Sequence, residues 1–347
     1  MTIYEIARKA GVSIATVSRA TDPRFRHKVA PETLRRIDVL IRRHGYAPNL
    51  AAKNLVRAST RTVGVILPHF SGIFFSDYYC KVLAGVADSV LEAGYQFKMV
   101  MLRHAEGPRW DRHDFRSAEG VDALVVTHWP NFFSKAAAIN RLNLPCVVVN
   151  DLEPGVRAHF AGSDSRLGGY LAAQHLCAMG HRRLLVLTGP EWSSDSRLRV
   201  EGFRAFFREA GVKTEIETVS GAFHEHDAAH ATGEFFSRKK GFTAVFACND
   251  LMACGALAKL SEMGIHCPAQ VSVVGYDDDA RAAAASPPLT TVRVPLYDIA
   301  RESTRRLIEK LEGRDEQDSF TRRPTLLPVE LVVRRSVRPA RGTDRKK

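Results

Sequence analysis

From residue 62 onward, short runs of β-branched and apolar residues alternate with amphipathic stretches of helical periodicity. We predict strands over residues 63–67, 97–102, 123–127, 146–149, 184–187, 244–247 and 271–276, and helices over residues 77–93, 166–179, 196–210, 226–239 and 249–263. This alternation is typical of parallel, doubly wound α/β sheets. Because one such sheet usually has five or six strands, roughly 270 residues predict two α/β lobes, with ligand sites at the carboxyl ends of the strands.

The segment before this region, residues 1–46, carries only helical signals. A capping box precedes a first helix that Gly11 ends. Ser13 can cap a second helix over residues 14–20, and Pro31 opens a third. Two helices joined by a short turn that contains glycine predict an all-α helix-turn-helix domain.

The charge of the chain is concentrated at its two ends. The net charge is +12, and residues 1–61 hold 13 Lys and Arg against four Asp and Glu, whereas residues 62–333 are nearly neutral. Concentrated Lys and Arg gain free energy by releasing counterions from phosphates, so we expect a polyanion such as double-stranded DNA to bind the amino-terminal segment. A merely solvated basic surface is the alternative. Residues 334–347 are also basic, and we predict a disordered tail there.

The second helix is the candidate for contact with DNA bases. It would present Ile14, Ala15, Ser18 and Arg19 on its outer side while Val17 packs inward. Residues near the start of a recognition helix meet base edges in the major groove. Arg19 can make a bidentate contact with guanine, worth about 1–3 kcal/mol of discrimination, and the apolar side chains can contact a thymine methyl group. A three-helix packing module without DNA is the alternative.

Several short motifs occur together along the chain. Those near the start are Ile3-Tyr4-Glu5-Ile6-Ala7, Ala10-Gly11-Val12-Ser13, Thr16-Val17-Ser18-Arg19 and Gly45-Tyr46-Ala47-Pro48-Asn49. Later ones are Gly168-Gly169, Gly180-His181, Arg199-Val200-Glu201-Gly202-Phe203, Cys248-Asn249-Asp250 and Val273-Val274-Gly275-Tyr276-Asp277-Asp278. Each motif alone is weak, but together they are specific. Over nearly its whole length the chain resembles the lactose and galactose repressor (LacI-type) family.

The resemblance implies a sequence-specific transcriptional regulator, most simply a repressor, with a helix-turn-helix domain over residues 1–46 and a hinge helix within residues 47–61. It implies a homodimer that binds a palindromic operator, with Leu55 as the wedge residue in the minor groove. The implied DNA contacts are Ile14, Ala15, Thr16, Ser18, Arg19, Asn49, Ala52 and Leu55. So short a hinge helix is marginal alone in water and needs DNA or its symmetry mate. An ordinary connector leucine is the alternative for Leu55.

The resemblance also implies a two-lobed body of the type I periplasmic-binding-protein kind over residues 62–333. Lobe 1 would span about residues 62–161 and 293–325, and lobe 2 about residues 162–290 with 328–333. The implied effector contacts are Arg199, Asn249 and Asp277, with Asn150 and Asp164 as weaker candidates. In the loop after the first strand, His69, Phe70 and Phe74 are further candidates for effector binding. Arg donates hydrogen bonds, Asp accepts them and Asn does both, which suits a polyhydroxylated or purine-like ligand, most simply a sugar or sugar derivative.

Some of these residues also have a purely structural interpretation. Asn249 can cap the following helix, Arg199 can be a solvated helix residue, and Asp277 can belong to a turn. At His69 the family often has an acidic or polar residue, so the preferred ligand can differ from the common sugars. The loop over residues 20–29 is longer than in the family, and its basic side chains either contact phosphates or are solvated.

Other classes of function fit the sequence less well. An α/β enzyme is disfavoured because the chain has no G-x-S-x-G, no G-x-x-x-x-G-K-[ST] and no G-x-G-x-x-G motif at a strand end. A solute-binding protein is disfavoured by the basic amino-terminal segment and by the lack of a signal peptide. His224, His226 and His230 resemble a metal-ligand run, but no cysteine lies nearby, so we predict neither metal nor cofactor.

The six cysteines form no C-x-x-C pair, and most lie in apolar runs, which indicates reduced side chains. No stretch of 18 uncharged apolar residues occurs in the chain. We therefore expect a cytoplasmic, nucleoid-associated protein without a membrane partner.

Overall fold

The computed structural model describes residues 1–22, 25–46, 59–68, 73–102, 118–127, 136–150, 157–314 and 324–340. The chain divides into two compact units, residues 1–61 and residues 62–347, which we call the head and the body.

The head is a three-helix unit around a small apolar core. Its helices are α1 (Ile3–Ala10), α2 (Ile14–Ala20) and α3 (Pro31–His44), with a 3-10 turn at Arg26–Lys28. Thr2 and Glu5 form a capping box on α1, and the Ser13 hydroxyl accepts a hydrogen bond from the first turn of α2. The core side chains are Ile6, Ala7, Ala10, Val17, Ala20, Val29 and Ile37. The predicted helix-turn-helix is confirmed.

The body alternates strands and helices. In chain order they are β1 (Thr62–Pro68), α4 (Asp77–Glu92), β2 (Gln96–Leu102), β3 (Ala123–Val126), α5 (Ala136–Arg141), β4 (Cys146–Val149), β5 (His159–Ser163), α6 (Ser165–Ala178), β6 (Arg183–Thr188), α7 (Ser194–Glu209), β7 (Glu215–Ser220), α8 (Glu225–Arg238), β8 (Ala244–Ala247), α9 (Asp250–Glu262), β9 (Ser272–Asp277), α10 (Ala280–Ala284), β10 (Thr290–Arg293), α11 (Leu296–Leu311), β11 (Thr325–Leu327) and β12 (Glu330–Val332).

Two six-stranded sheets form the two lobes, which confirms the predicted α/β architecture. The sheet of lobe 1 has the order β11-β5-β4-β3-β1-β2 and is parallel throughout. The sheet of lobe 2 has the order β12-β10-β9-β8-β6-β7, and only the β10–β12 pair is antiparallel. Helices α4 and α11 pack together in lobe 1, and α6 packs against α7 in lobe 2. The sequence analysis did not predict the strands β5, β7, β10, β11 and β12 or the helices α5, α10 and α11.

Glycines bring α6 and α7 into close contact. A Cβ atom on Gly169 would lie 1.9 Å from the carbonyl oxygen of Arg199, and one on Gly202 would lie 1.8 Å from the carbonyl oxygen of Arg166. Both distances are far below van der Waals contact, so only glycine permits this approach of the two backbones. The Gly168-Gly169 and Gly202 motifs therefore fix the position of the helix that carries Arg199.

Residues 334–340 pack against lobe 2, so the prediction of a disordered tail over residues 334–347 is wrong for this stretch. Ser336 is fully buried, and its hydroxyl donates to the carbonyl of Val273 at 2.6 Å and accepts from the Thr290 N–H at 2.8 Å. These hydrogen bonds order the segment despite its charge, which composition alone does not reveal. Within the described residues, no helix is long and apolar enough to cross a membrane.

Candidate functional site

Arg199 on α7 is buried in lobe 2, with 5% of its surface exposed. Its Nη1 donates a hydrogen bond to the carbonyl oxygen of Cys248 at 2.5 Å. The carboxylates of Asp195 and Asp277 each lie 3.7 Å from the guanidinium, and the ring centroid of Tyr276 lies 3.8 Å from its Cζ. This burial excludes the solvated helix residue that the sequence left open. Within the described chain its buried Nε has no hydrogen-bond partner.

Burial and neighbouring charges both shift the pKa values of Arg199 and Asp277, and a different one of the two effects dominates at each residue. Burial would lower the pKa of Arg199, but the carboxylates of Asp277 and Asp195 outweigh it, so its pKa is raised above the ordinary value. For Asp277 burial dominates and raises the pKa to about 7, although Arg199 opposes this. Arg199 is therefore a permanent cation, whereas Asp277 changes its protonation state near neutral pH.

The raised pKa of Asp277 predicts a pH-dependent stability. The folded state holds this proton more tightly than the unfolded state, so ionisation destabilises the fold increasingly as the pH rises from about 4 to about 7. Asp277→Asn does not titrate, and we expect its free energy of unfolding to rise relative to wild type across this interval. Urea unfolding at several pH values measures that difference. A difference that does not change with pH would show that Asp277 has an ordinary pKa.

Asp278 connects the loop after β9 to neighbouring segments. Its carboxylate accepts hydrogen bonds from Arg293 Nε at 2.7 Å and from Arg334 Nη2 at 2.6 Å. Its carbonyl oxygen accepts from Nζ of Lys81, on α4 of lobe 1, at 3.2 Å. Asp277 and Asp278 both have positive φ angles, 110° and 54°, which non-glycine residues rarely adopt. The contacts hold this loop in an unusual conformation, and Lys81 joins the two lobes beside Asp277.

A cleft between the lobes opens at this contact. Lobe 1 lines it with Phe75, Ser76, Asp77, Tyr78, Lys81 and Leu296, and lobe 2 lines it with Asn249, Leu251, Asp277, Asp279 and Arg281. Aromatic and apolar surfaces stand next to carboxylates, cations and an amide. Such a lining suits a small polar ligand that also has apolar faces.

Two of the predicted effector contacts have capping roles. The Asn249 side-chain oxygen accepts from the Met252 N–H at 2.9 Å at the start of α9, and the residue also lines the cleft. Asp164 is exposed, and its carboxylate accepts from the Leu167 N–H at 2.8 Å at the start of α6. Asp279 rather than Asp277 caps α10. Asp277 thus remains available to the cleft.

Of the predicted effector contacts, Phe74, Asn150 and the buried Arg199 are not among the residues that line the cleft. Phe74 lies in a 3-10 turn and is 51% exposed, whereas its neighbour Phe75 and the later Tyr78 line the cleft instead. Asn150 is buried at the end of β4, where its N–H donates to the Ala161 carbonyl at 2.7 Å. His69 and Phe70 lie outside the described residues.

Asp250 is a buried carboxylate that the sequence analysis did not single out. Its Oδ1 accepts from the Thr291 hydroxyl at 2.6 Å, and its Oδ2 accepts from the Asp279 N–H at 2.9 Å. Burial, followed by the charge of Asp277, raises its pKa well above the ordinary value. A Cβ atom on Gly275 would lie 2.1 Å from Oδ1. Asp250 thus connects α9 to β10 and to the loop that carries Asp277. In the sequence, only its position next to Asn249 could have pointed to this role.

The outer side of α2 matches the sequence analysis. Ile14, Ala15 and Arg19 are exposed, Ser18 is partly exposed, and Val17 is fully buried. The Thr16 hydroxyl lies 2.9 Å from that of the capping Ser13, so it is engaged at the start of the helix. The predicted contacts Asn49, Ala52 and Leu55 lie outside the described residues.

Arg26, in the loop between α2 and α3, has structural partners. Its Nη1 donates to the Ala20 carbonyl at the end of α2 at 2.8 Å, and it pairs with Asp38 of α3. These contacts brace the loop against both helices, so Arg26 is neither a free phosphate ligand nor simply solvated. Lys28 lies 5.5 Å from the ring centroid of Phe25 and is exposed.

The three histidines at the start of α8 do not form a metal site among the described residues. His226 is 94% exposed, and its ring contacts Asp227 at 3.6 Å. In the part of the chain that the structure describes, no three His, Cys, Asp or Glu side chains are grouped so that they could hold a metal ion.

Comparison with known proteins identifies the two parts of the chain. Residues 2–49 match the model described as bacterial regulatory proteins of the lacI family, and residues 173–337 match a periplasmic binding protein-like domain. The chain therefore combines a helix-turn-helix domain of the LacI family with a periplasmic-binding-protein-like domain. It is 28% identical to the HTH-type transcriptional repressor PurR of Haemophilus influenzae over 341 residues, covering 97% of this chain and 98% of that protein.

Solved structures of LacI-family proteins share this fold. The complex of the transcriptional regulator CelR with cellobiose aligns with a TM-score of 0.70 at 26% identity, over 97% of this chain and 99% of that one. The Lac repressor dimer bound to operator and the anti-inducer ONPF aligns with a TM-score of 0.80 at 24% identity, with the same coverage. Like its relatives, this chain is a DNA-binding transcriptional regulator controlled by a small-molecule effector.

Proposed function

We propose that the protein is a homodimeric repressor that binds a palindromic operator and releases or tightens it when a sugar-like metabolite occupies the cleft. The observation that carries this proposal is Asp277, paired with the buried Arg199, at a cleft lined by both lobes in a chain with a separate basic helix-turn-helix. The repressor acts on operator DNA in the cytoplasm, in association with the nucleoid. It catalyses no reaction, and turnover of a bound compound would contradict this.

The chemistry of the cleft supports a polyhydroxylated effector. Among the residues that line the cleft, the Asp277 carboxylate accepts hydrogen bonds and the Lys81 ammonium group donates them, so both hydrogen-bonding functions of a hydroxyl group are matched. Phe75 and Tyr78 offer aromatic surface to the apolar face of a sugar ring. The bound cellobiose of CelR, a relative of this chain, supports the same class of ligand.

Coupling to DNA requires that the effector bind two states of the body with different affinities. Lys81 reaches the Asp278 carbonyl next to Asp277, so a ligand between these groups changes the contact that joins the lobes. We propose that residues 47–61 transmit this change as a hinge helix, with Leu55 inserted into the operator. Leu55→Ala should then weaken operator binding strongly and leave effector affinity unchanged.

Arg19 is expected to set the base preference at one operator position. It is exposed on α2 and has no hydrogen-bond or ion-pair partner within the described residues, so it is free to contact a guanine edge. Arg19→Ala should lose about 1–3 kcal/mol of discrimination at that position, which is roughly a 5- to 150-fold change. Binding to a library of single-base operator variants measures it. An unchanged order of preference with uniformly weaker binding would make Arg19 a phosphate contact.

Thermal denaturation of the full chain against sugars, sugar phosphates, sugar acids and nucleobases tests the effector class. A ligand at 100 times its dissociation constant adds about 2.7 kcal/mol to stability. We expect one class of sugar to raise the Tm of wild type and not that of Arg199→Lys, in which the cation is retained and the guanidinium is lost. Stabilisation by nucleobases alone would contradict the sugar proposal.

A further inference from the structure

The outer face of α3 carries four arginines that the recognition helix does not use. Arg35, Arg36, Arg42 and Arg43 are exposed, and so is Val39 between them. At 3.6 residues per turn these positions fall within an arc of about 120° on one face, and at 1.5 Å per residue they extend over about 12 Å. We call these four arginines the α3 stripe.

The α3 stripe is unpaired, unlike many arginines of the body. Within the described residues none of its four guanidinium groups has a hydrogen bond or an ion pair with another side chain, and Glu32, one turn earlier on the same face, pairs with none of them. Several arginines of the body instead pair with a glutamate, namely Arg166, Arg183, Arg301, Arg305 and Arg314. The stripe therefore concentrates positive charge that the protein itself does not neutralise.

The stripe and the recognition face lie on different sides of the head. Helix α2 buries Val17 and Ala20 in the core of the head, and α3 buries Ile37 in the same core. Since both helices turn their inner faces to one core, their outer faces point in different directions. A duplex that contacts Arg19 on α2 consequently leaves the stripe accessible.

We propose that the α3 stripe binds the phosphate backbone of a second DNA duplex while α2 holds the operator. Guanidinium groups match phosphate oxygens in bidentate geometry. Each strand of duplex DNA presents one charge per about 3.4 Å of the axis, so a stripe of about 12 Å passes about three or four phosphates of the facing strand, about one for each arginine. The contact reads no sequence, and it lets an operator-bound protein hold a distant DNA segment.

A two-duplex capture experiment with the full-length protein tests this proposal. A duplex selected by the protein from a random pool is immobilised, the protein is bound to it, and a fluorescent mixed-sequence duplex is added at increasing salt. We expect wild type to capture the second duplex. In the test variant all four arginines are replaced: Arg35→Gln/Arg36→Gln/Arg42→Gln/Arg43→Gln. We expect this variant to stay bound to the immobilised duplex. The slope of log affinity for the second duplex against log salt concentration should become shallower by up to about 3.6, which corresponds to about 150-fold in affinity over a fourfold change in salt.

Two control variants separate charge from fold. Lysine at the same four positions keeps the charge and should retain most of the capture. Arg204→Gln/Arg208→Gln removes two exposed and unpaired arginines of the body and should leave capture unchanged. Capture that survives the four glutamines would place the second duplex elsewhere and overturn the proposal. The proposal would also be overturned if wild-type protein captured poly-glutamate and no second duplex, because the stripe would then bind an acidic protein.

Discussion

Replacing Arg199 with Met is expected to destabilise the body by about 3–5 kcal/mol at neutral pH. Removing one partner of a buried ion pair leaves the other charge buried and uncompensated. Here two carboxylates, Asp195 and Asp277, lie 3.7 Å from the guanidinium that would be lost. The Cys248 carbonyl would also lose its hydrogen bond. Urea denaturation of the full chain, followed through the transition of the body, measures the loss.

The pH dependence of the Arg199→Met variant separates charge from packing. Arg199 lowers the pKa of Asp277, so without it Asp277 stays protonated to higher pH; the deficit should grow as the pH rises through about 7, where wild-type Asp277 ionises beside the cation, and level off at lower pH. Arg197→Met, two residues earlier and exposed on the same helix, is the matched control and should change stability by about 0.5 kcal/mol or less. A deficit for Arg199→Met that is the same at every pH would show that packing, and not charge, stabilises this site.

Gly169→Ala is expected to cost about 3 kcal/mol, at the upper end for overpacking, and to weaken effector binding as well. The added methyl group would lie 1.9 Å from the carbonyl oxygen of Arg199, so α6 and α7 must separate. That separation displaces the backbone that positions the guanidinium. Chemical denaturation measures the stability, and the Tm shift with the effector identified by screening measures the binding.

Gly233→Ala is the matched control for this substitution. Gly233 also lies inside a helix, but the nearest atom to its added Cβ is the flexible aliphatic chain of Lys259, at 3.1 Å. Since alanine is the better helix former by about 1 kcal/mol, Gly233→Ala should be neutral or stabilising. If Gly169→Ala is equally harmless, the close approach of α6 and α7 does not constrain the site.

The sequence predicted the strands and helices whose patterns are strongest. The strands β3, β4 and β8 are fully buried apolar runs, and buried parallel strands have this signature. The missed β7 is an edge strand with exposed glutamates, and β11 and β12 span three residues each, too few for a periodic pattern. The pairing of those strands depends on the sheet and not on their own composition.

The candidate site was predictable only in part. Motifs identified Arg199 and Asp277, but their burial and mutual approach depend on α6, α7 and β9 meeting in three dimensions. From the sequence, Phe74 was a candidate for effector binding, whereas the 3-10 turn before α4 exposes Phe74. Asp250 was missed because it lies in the first turn of a helix, where acidic residues are common, and the sequence does not show that its carboxylate is buried and hydrogen-bonded.

The dissociation constant of the full-length protein for its selected duplex, measured with and without the stabilising compound, tests the central claim most directly. A regulator whose cleft controls its head should change this constant at least about tenfold, which is about 1.4 kcal/mol of coupling, and Arg199→Lys should abolish the change. A compound that raises the Tm of wild type yet leaves the constant for DNA unaltered would contradict the account, because occupancy of the cleft would then not reach the head.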